Sequence, residues 1–146
     1  MNEPIDCYLI DSNILVYAYD RTDTKKNALA VKILEQCWKR ETVYAISVQN
    51  LAEFFVIITK KVPSPLPVEK AEEIISDICS FSGWRILSYN PETLILAIQL
   101  YQKHKKHFWD AILVATMLQS GITQIYSENE SDLKVFDKVV VKNPFL

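Results

Sequence analysis

Cys7-Tyr8-Leu9-Ile10-Asp11-Ser12-Asn13-Ile14-Leu15-Val16-Tyr17 consists of two apolar runs broken only by Asp-Ser-Asn. The run from Cys7 to Ile10 is too short for a helix and too apolar for an exposed loop, so it reads as a buried strand. Ser12 and Asn13 are both good helix N-caps, which predicts a turn into helix at Ile14 that runs to Tyr19. Asp11 then stands at the carboxyl end of a buried strand, where open α/β sheets place their ligands. A structural cap explains one such Asp equally well. What matters is whether other carboxylates point to the same place.

Working outward, short apolar stretches alternate with longer amphipathic ones. Lys25 to Lys39 reads as an amphipathic helix, Thr42 to Ile46 as a second strand, and Ser47 as the cap of a helix from Val48 to about Lys61. The run Val62-Pro63-Ser64-Pro65-Leu66-Pro67 excludes regular structure and spaces a helical hairpin, with Pro67 in the first turn of a helix that ends near Phe81. Arg85 to Leu87 reads as a third strand, and Asn90-Pro91 opens a helix to about Lys103. Phe108 to Gln119 is the next helix, closed by Gly121. Ile122 to Tyr126 and Val139 to Val141 are the fourth and fifth strands. Strands separated by helices indicate a three-layer α/β/α sandwich around a mostly parallel five-stranded sheet, and residues 1–146 read as a single domain.

Bulk properties narrow the function. A net charge of −2 is not that of a general polyanion binder, so nucleic acid would have to be held by local basic groups or metal ions. The two glycines, Gly83 and Gly121, stand alone, which excludes both glycine-rich phosphate-binding loops. The three cysteines, Cys7, Cys37 and Cys79, are odd in number and far apart in apolar surroundings, which predicts free thiols in a reducing compartment. Met1-Asn2-Glu3-Pro4 lacks a basic leader, and no apolar run is long enough to cross a membrane, so the expected address is cytoplasmic.

Three of the 18 acidic residues sit where solubility does not explain them. Asp11 is one. Glu53 lies in Leu51-Ala52-Glu53-Phe54-Phe55-Val56-Ile57-Ile58 and Asp110 in Phe108-Trp109-Asp110-Ala111-Ile112-Leu113-Val114-Ala115, both read as helices apolar on nearly every side. A carboxylate buried in such a helix costs several kcal/mol unless it is paired or neutralised. Each singly is accounted for by a distant cation or a cap. Together they map to the carboxyl edge of one parallel sheet, with the acidic loop Ser127-Glu128-Asn129-Glu130-Ser131-Asp132 on the same edge. Clustered carboxylates repel and raise one another's pKa. A hard divalent cation, Mg²⁺ or Mn²⁺ for an all-oxygen site, removes that penalty and can activate water against a phosphodiester.

These stretches, with the closing Lys142-Asn143-Pro144-Phe145, resemble the PIN-domain ribonucleases of the VapC toxin type over nearly the whole chain. The similarity rests on Asp11-Ser12-Asn13, Leu51-Ala52-Glu53-Phe54, the segment from Trp109 to Ala115, and Tyr126-Ser127-Glu128-Asn129 with Asp132. It implies metal-dependent endonucleolytic cleavage of RNA and neutralisation by a small cognate antitoxin. By resemblance, Asp11 and Asp110 are direct metal ligands, Glu53 completes the pocket, Asp132 is the fourth acid and Asn129 a polar companion. Glu128 and Glu130 compete with Asp132 for its place, and Ser127 stands where threonine is common.

Ser127, Asn129, Lys105 and Lys106 are the expected RNA contacts, the two lysines coming from the basic run Lys103 to His107 ahead of the Asp110 helix. Trp109 can stack on a base, although core packing is the commoner use of such a residue. The Pro63 to Pro67 hairpin and the helix Lys25 to Lys39 offer a groove to an antitoxin helix or a homodimer face. A PIN-like scaffold that binds RNA or a protein without cutting is the competing reading. A small-molecule phosphate enzyme ranks last, because no phosphate loop is present.

Overall fold

The computed structural model describes residues 7–146, so the reading of Met1 to Pro4 lies outside the described residues. In chain order the elements are β1 (Tyr8–Ile10), α1 (Ser12–Tyr19), α2 (Thr24–Trp38), β2 (Tyr44–Ser47), α3 (Val48–Lys60), α4 (Val68–Ser80), β3 (Trp84–Leu87), α5 (Pro91–His104), α6 (Phe108–Gln119), β4 (Gln124–Tyr126), α7 (Glu130–Leu133) and β5 (Val140–Lys142). The five strands form one sheet in the order β3-β2-β1-β4-β5, and every pairing is parallel.

Period-two alternation divides the core. Leu9 and Ala45 face a layer built from α5 and α6, while Ile10, Tyr44 and Ile46 face a layer built from α1 to α4. Helices therefore cover both faces, as the sequence predicts. β1 is central, and Leu9 and Ile10 are fully buried. The chain steps from β1 to β2 to β3 in one direction and then returns to the far side of β1 for β4, which makes the β1/β4 crevice a topological switch point.

Local signals explain the element ends. Ser47 accepts from the Asn50 amide and Asn50 reaches back to the Ser47 backbone, a reciprocal cap on α3. Asn90 and Thr93 do the same for α5, with Pro91 in its first turn. Gly121, at φ 74°, ends the α6 segment in the left-handed region that glycine adopts without strain.

Several expectations need correction. α1 starts at Ser12, not Ile14, and its cap is Asp11, not Ser12 or Asn13, because the extended Asp11 carboxylate accepts from the Ser12 amide. Pro67 stands at the N-cap position just before α4 rather than in its first turn, and makes no side-chain capping bond. The acidic stretch after β4 is not all loop, since Glu130–Leu133 forms the short helix α7. All three cysteines are free, and Cys7 and Cys37 are buried, but Cys79 is exposed on α4 rather than set in apolar surroundings. Among the described residues no helix is long and apolar enough to cross a membrane.

Candidate metal centre

Asp11 is the pivot of the carboxyl edge. It is 7% exposed, and its carboxylate is ringed by donors. Its Oδ1 accepts from the Ser12 amide at 2.7 Å and from Asn50 Nδ2 at 3.2 Å. Its Oδ2 accepts from Ser127 Oγ at 2.6 Å and from Asn13 Nδ2 at 3.3 Å. Burial pushes the Asp11 carboxyl above its usual range, the Ser127 and Ser12 donors pull it back, and the Glu53 charge adds to the rise. Several elements meet at this group: it stands between β1 and α1, α1 supplies Ser12 and Asn13, α3 supplies Asn50, and the segment after β4 supplies Ser127.

Asp110 lies in the first turn of α6, half-buried. Its carboxyl is pushed up to about 6, first by burial and then by the charges on Asp11, Asp132 and Glu53, with His107 opposing. Asp110 thus lies within electrostatic reach of the other three predicted acids, and Asp11 within reach of Glu53. None of the four has an ion-pair partner among the described residues.

Glu53 differs from its expected environment. It is exposed, because α3 turns Val48, Ala52, Glu53 and Val56 outward and buries only Asn50, Leu51, Phe54 and Ile58. Its Oε2 accepts from Ser12 Oγ at 2.9 Å and its Oε1 from Gln49 Nε2 at 3.3 Å, so it is held at the mouth of the site rather than embedded in the core.

The contest for the fourth acid has a structural asymmetry. Glu128 is engaged by the Lys26 ammonium and by the Tyr17 hydroxyl, which donates at 2.7 Å. The Glu128 and Tyr17 bonds push the Lys26 ammonium up to about 12. The Lys26 ammonium also lies over the Tyr17 and Phe145 rings at 4.9 and 5.6 Å, which ties the closing Pro144-Phe145 to the same edge. Asp132 has no such partner among the described residues, and its charge is felt at Asp110.

Ser127 is fully buried, with its hydroxyl donated to Asp11 and accepting from the Asn129 amide. Its hydroxyl is turned to Asp11 rather than to the surface, where an RNA contact is expected. Lys105 and Lys106 are exposed just before α6, whereas Lys103 is paired with Asp137 at 3.8 Å and the His104 ring rests on Phe136. Trp109 overturns the expectation of a core residue: it is 63% exposed. Asn50 escaped the sequence reading. The only signal available was a polar residue three positions after Ser47, and that reads as capping.

The donor set suits a hard cation: carboxylate oxygens with uncompensated mutual repulsion and no thiol. Among the described residues no three acids already converge as a ligand shell. Mg²⁺ tolerates this, since it gives up water reluctantly and is commonly held by one or two carboxylates plus waters.

Comparison with solved structures agrees with this architecture. VapC20 of Mycobacterium tuberculosis, described as a Sarcin-Ricin loop cleaving toxin, superposes with a TM-score of 0.67 at 15% identity over 88% of this chain and 95% of that one. A toxin–antitoxin complex from Klebsiella pneumoniae gives 0.64 at 20% identity, covering 94% and 97% of the two chains. VapBC2 from Rickettsia felis, bound to a promoter DNA fragment, gives 0.67 at 15% identity, covering 94% and 98%. No curated protein matches the chain by sequence. The PIN-domain profile matches residues 8–139, which takes in the central strand, Glu53, Asp110 and the acidic turn after β4. On that match and on the shared fold, the chain belongs to the PIN-domain family.

Proposed function

We infer that the protein is a Mg²⁺- or Mn²⁺-dependent endoribonuclease, the toxin of a toxin–antitoxin pair, built as a single PIN domain. The observation that carries this reading is the gathering of Asp110 with Asp11, Glu53 and Asp132, whose charges with burial lift its carboxyl to about 6 despite His107, while none of the four acids is ion-paired among the described residues. Asp11, Asp110 and Asp132 would hold the ion, with Glu53 reaching it through water. Such an ion, when bound, supplies a Lewis acid that makes bound water more acidic and neutralises phosphate charge.

The chain's own residues do the positioning. Ser127, Asn13 and Asn50 fix the plane of the Asp11 carboxylate, and the Ser12 hydroxyl orients Glu53. Glu53, exposed at the mouth, would take the proton of a water whose oxygen attacks phosphorus as the bond to the leaving ribose oxygen breaks. Lys105, Lys106 and Asn129 flank the edge and suit contacts to the phosphates and sugars on either side. A small antitoxin and a second copy of the chain are the partners this reading carries, in the cytoplasm. The relatives named above that were solved as toxin–antitoxin assemblies support the first of these partners.

The test is cleavage of a mixed RNA pool by partner-free protein in Mg²⁺ or Mn²⁺, with chelator, Asp11→Asn and Asp110→Asn as controls. Cutting lost in all three controls is expected. Full activity in both variants would sink the reading. The competing scaffold that binds without cutting draws on one observation, that among the described residues no three acids converge as a ligand shell. It would be selected by silence in this assay together with no metal-induced rise in Tm.

A further inference from the structure

Beside the acids lies a slot of about 700 Å³ whose walls include Val48, Gln49, Ala52, Tyr89 and Trp109, with Glu53 at its border with the acidic pocket. Both aromatic rings are open to solvent, Trp109 at 63% and Tyr89 at 47%. Large exposed aromatics on a concave surface are uncommon without a ligand to cover them. The slot is built into the site: Trp109 adjoins Asp110, and Gln49 Nε2 bonds both Glu53 Oε1 at 3.3 Å and the Trp109 carbonyl at 3.1 Å. Those two acceptors fix the amide orientation, because the reverse assignment would set oxygen against oxygen. Gln49 Oε1 is consequently left buried and without a hydrogen-bond partner among the described residues.

The geometry points to this slot as a stacking site for one unpaired nucleobase of the RNA whose phosphodiester lies at the acids, a reading that rests on the function proposed above. The electrostatics favour such an occupant. A chain of net charge −2 with an acidic edge has little general attraction for a polyanion, so affinity must come from the ion at the phosphate and from uncharged contacts to the base. An apolar slot with two aromatic walls supplies that uncharged contact, and every base offers a ring face to it. A protein face would not need to share Glu53 and the Trp109 backbone with the acidic pocket.

The experiment measures binding rather than cutting. Full-length Asp11→Asn protein in Mg²⁺ is titrated with single-stranded oligo(A) and with an abasic oligomer of equal length, reading tryptophan emission and fluorescence polarisation. Oligo(A) is expected to quench the emission. Adding Trp109→Phe should abolish most of that quench while keeping affinity within a few-fold. Adding Trp109→Ala should weaken oligo(A) roughly tenfold or more, the loss of one base–aromatic stack, with little change for the abasic oligomer. Trp109 is exposed, so neither change empties the core. Equal oligo(A) affinity with and without the Trp109 ring overturns the proposal. So does sedimentation showing a dimer that Trp109→Ala splits with no loss of oligo(A) binding, since the slot would then be a contact between copies. Cleavage by the wild type with no quench would reject the stacking site alone, whereas quench without metal-dependent cleavage would reject the nuclease reading alone.

Discussion

Asp11 has little freedom. Two side-chain amides, a hydroxyl and a backbone amide converge on a carboxylate with almost no exposure, so each donor offsets part of a desolvation cost. Ser127→Ala should therefore destabilise the fold by about 2 kcal/mol in urea titrations, the usual scale for a lost bond to a buried charge. A change within about 0.5 kcal/mol, typical of surface positions, would show that the bond contributes little.

Asp110 makes a second residue-scale prediction, about pH. Its folded-state value is raised from 3.8 to about 6, so in that window the folded chain binds more protons than the unfolded one. Stability then falls as pH rises through the window. In chelator, the wild-type Tm should drop between those pH values more steeply than that of Asp110→Asn. Parallel profiles would contradict the assignment of the shift to Asp110.

At the scale of elements, α3 and α6 divide their labour along their length. α6 is buried from Ala111 through Met117 and exposes its start, so one helix is both a core strut and a support for Trp109 and Asp110. Leu113→Ala should cost about 3 kcal/mol in equilibrium unfolding. Trp109→Ala, four residues earlier, should stay within about 1 kcal/mol, and a comparable loss in both would mean that Trp109 packs rather than waits for a ligand. α3 buries Leu51, Phe54 and Ile58 and turns Val48, Ala52 and Val56 outward. Its apolar residues all look alike in the sequence. The outward stripe exists because α1, α4 and the sheet cover only one side of the helix, something no local pattern records.

For the whole molecule, parallel topology does the gathering. The carboxyl ends of all five strands lie on one edge, and the return of the chain past β1 opens the crevice in which Asp11 and Ser127 meet. A cation that binds only the folded state must stabilise all of it. Mg²⁺ at a hundredfold excess over its Kd should add about 2.7 kcal/mol, seen as a rise in Tm. The rise should shrink below about pH 6, where a proton competes at Asp110 with the ion it is proposed to hold. A rise independent of pH would place the ion elsewhere.

What the sequence determined by itself were the features that act over a few residues. The capping groups Ser47 and Asn90, the buried run before Asp11, the alternation of strand and helix, and the order of the acids along the chain were all legible there. The resemblance to PIN domains rested on that order. Only the tertiary structure decided which way Glu53 and Trp109 face, that Lys26 and Tyr17 engage Glu128, and that Asn50 and Ser127 hold Asp11. These contacts join residues 39, 102 and 116 positions apart. Exposure depends on which elements cover a face, and partners at such separations are chosen by the packing of the whole chain, so neither is written in the neighbours of any one residue.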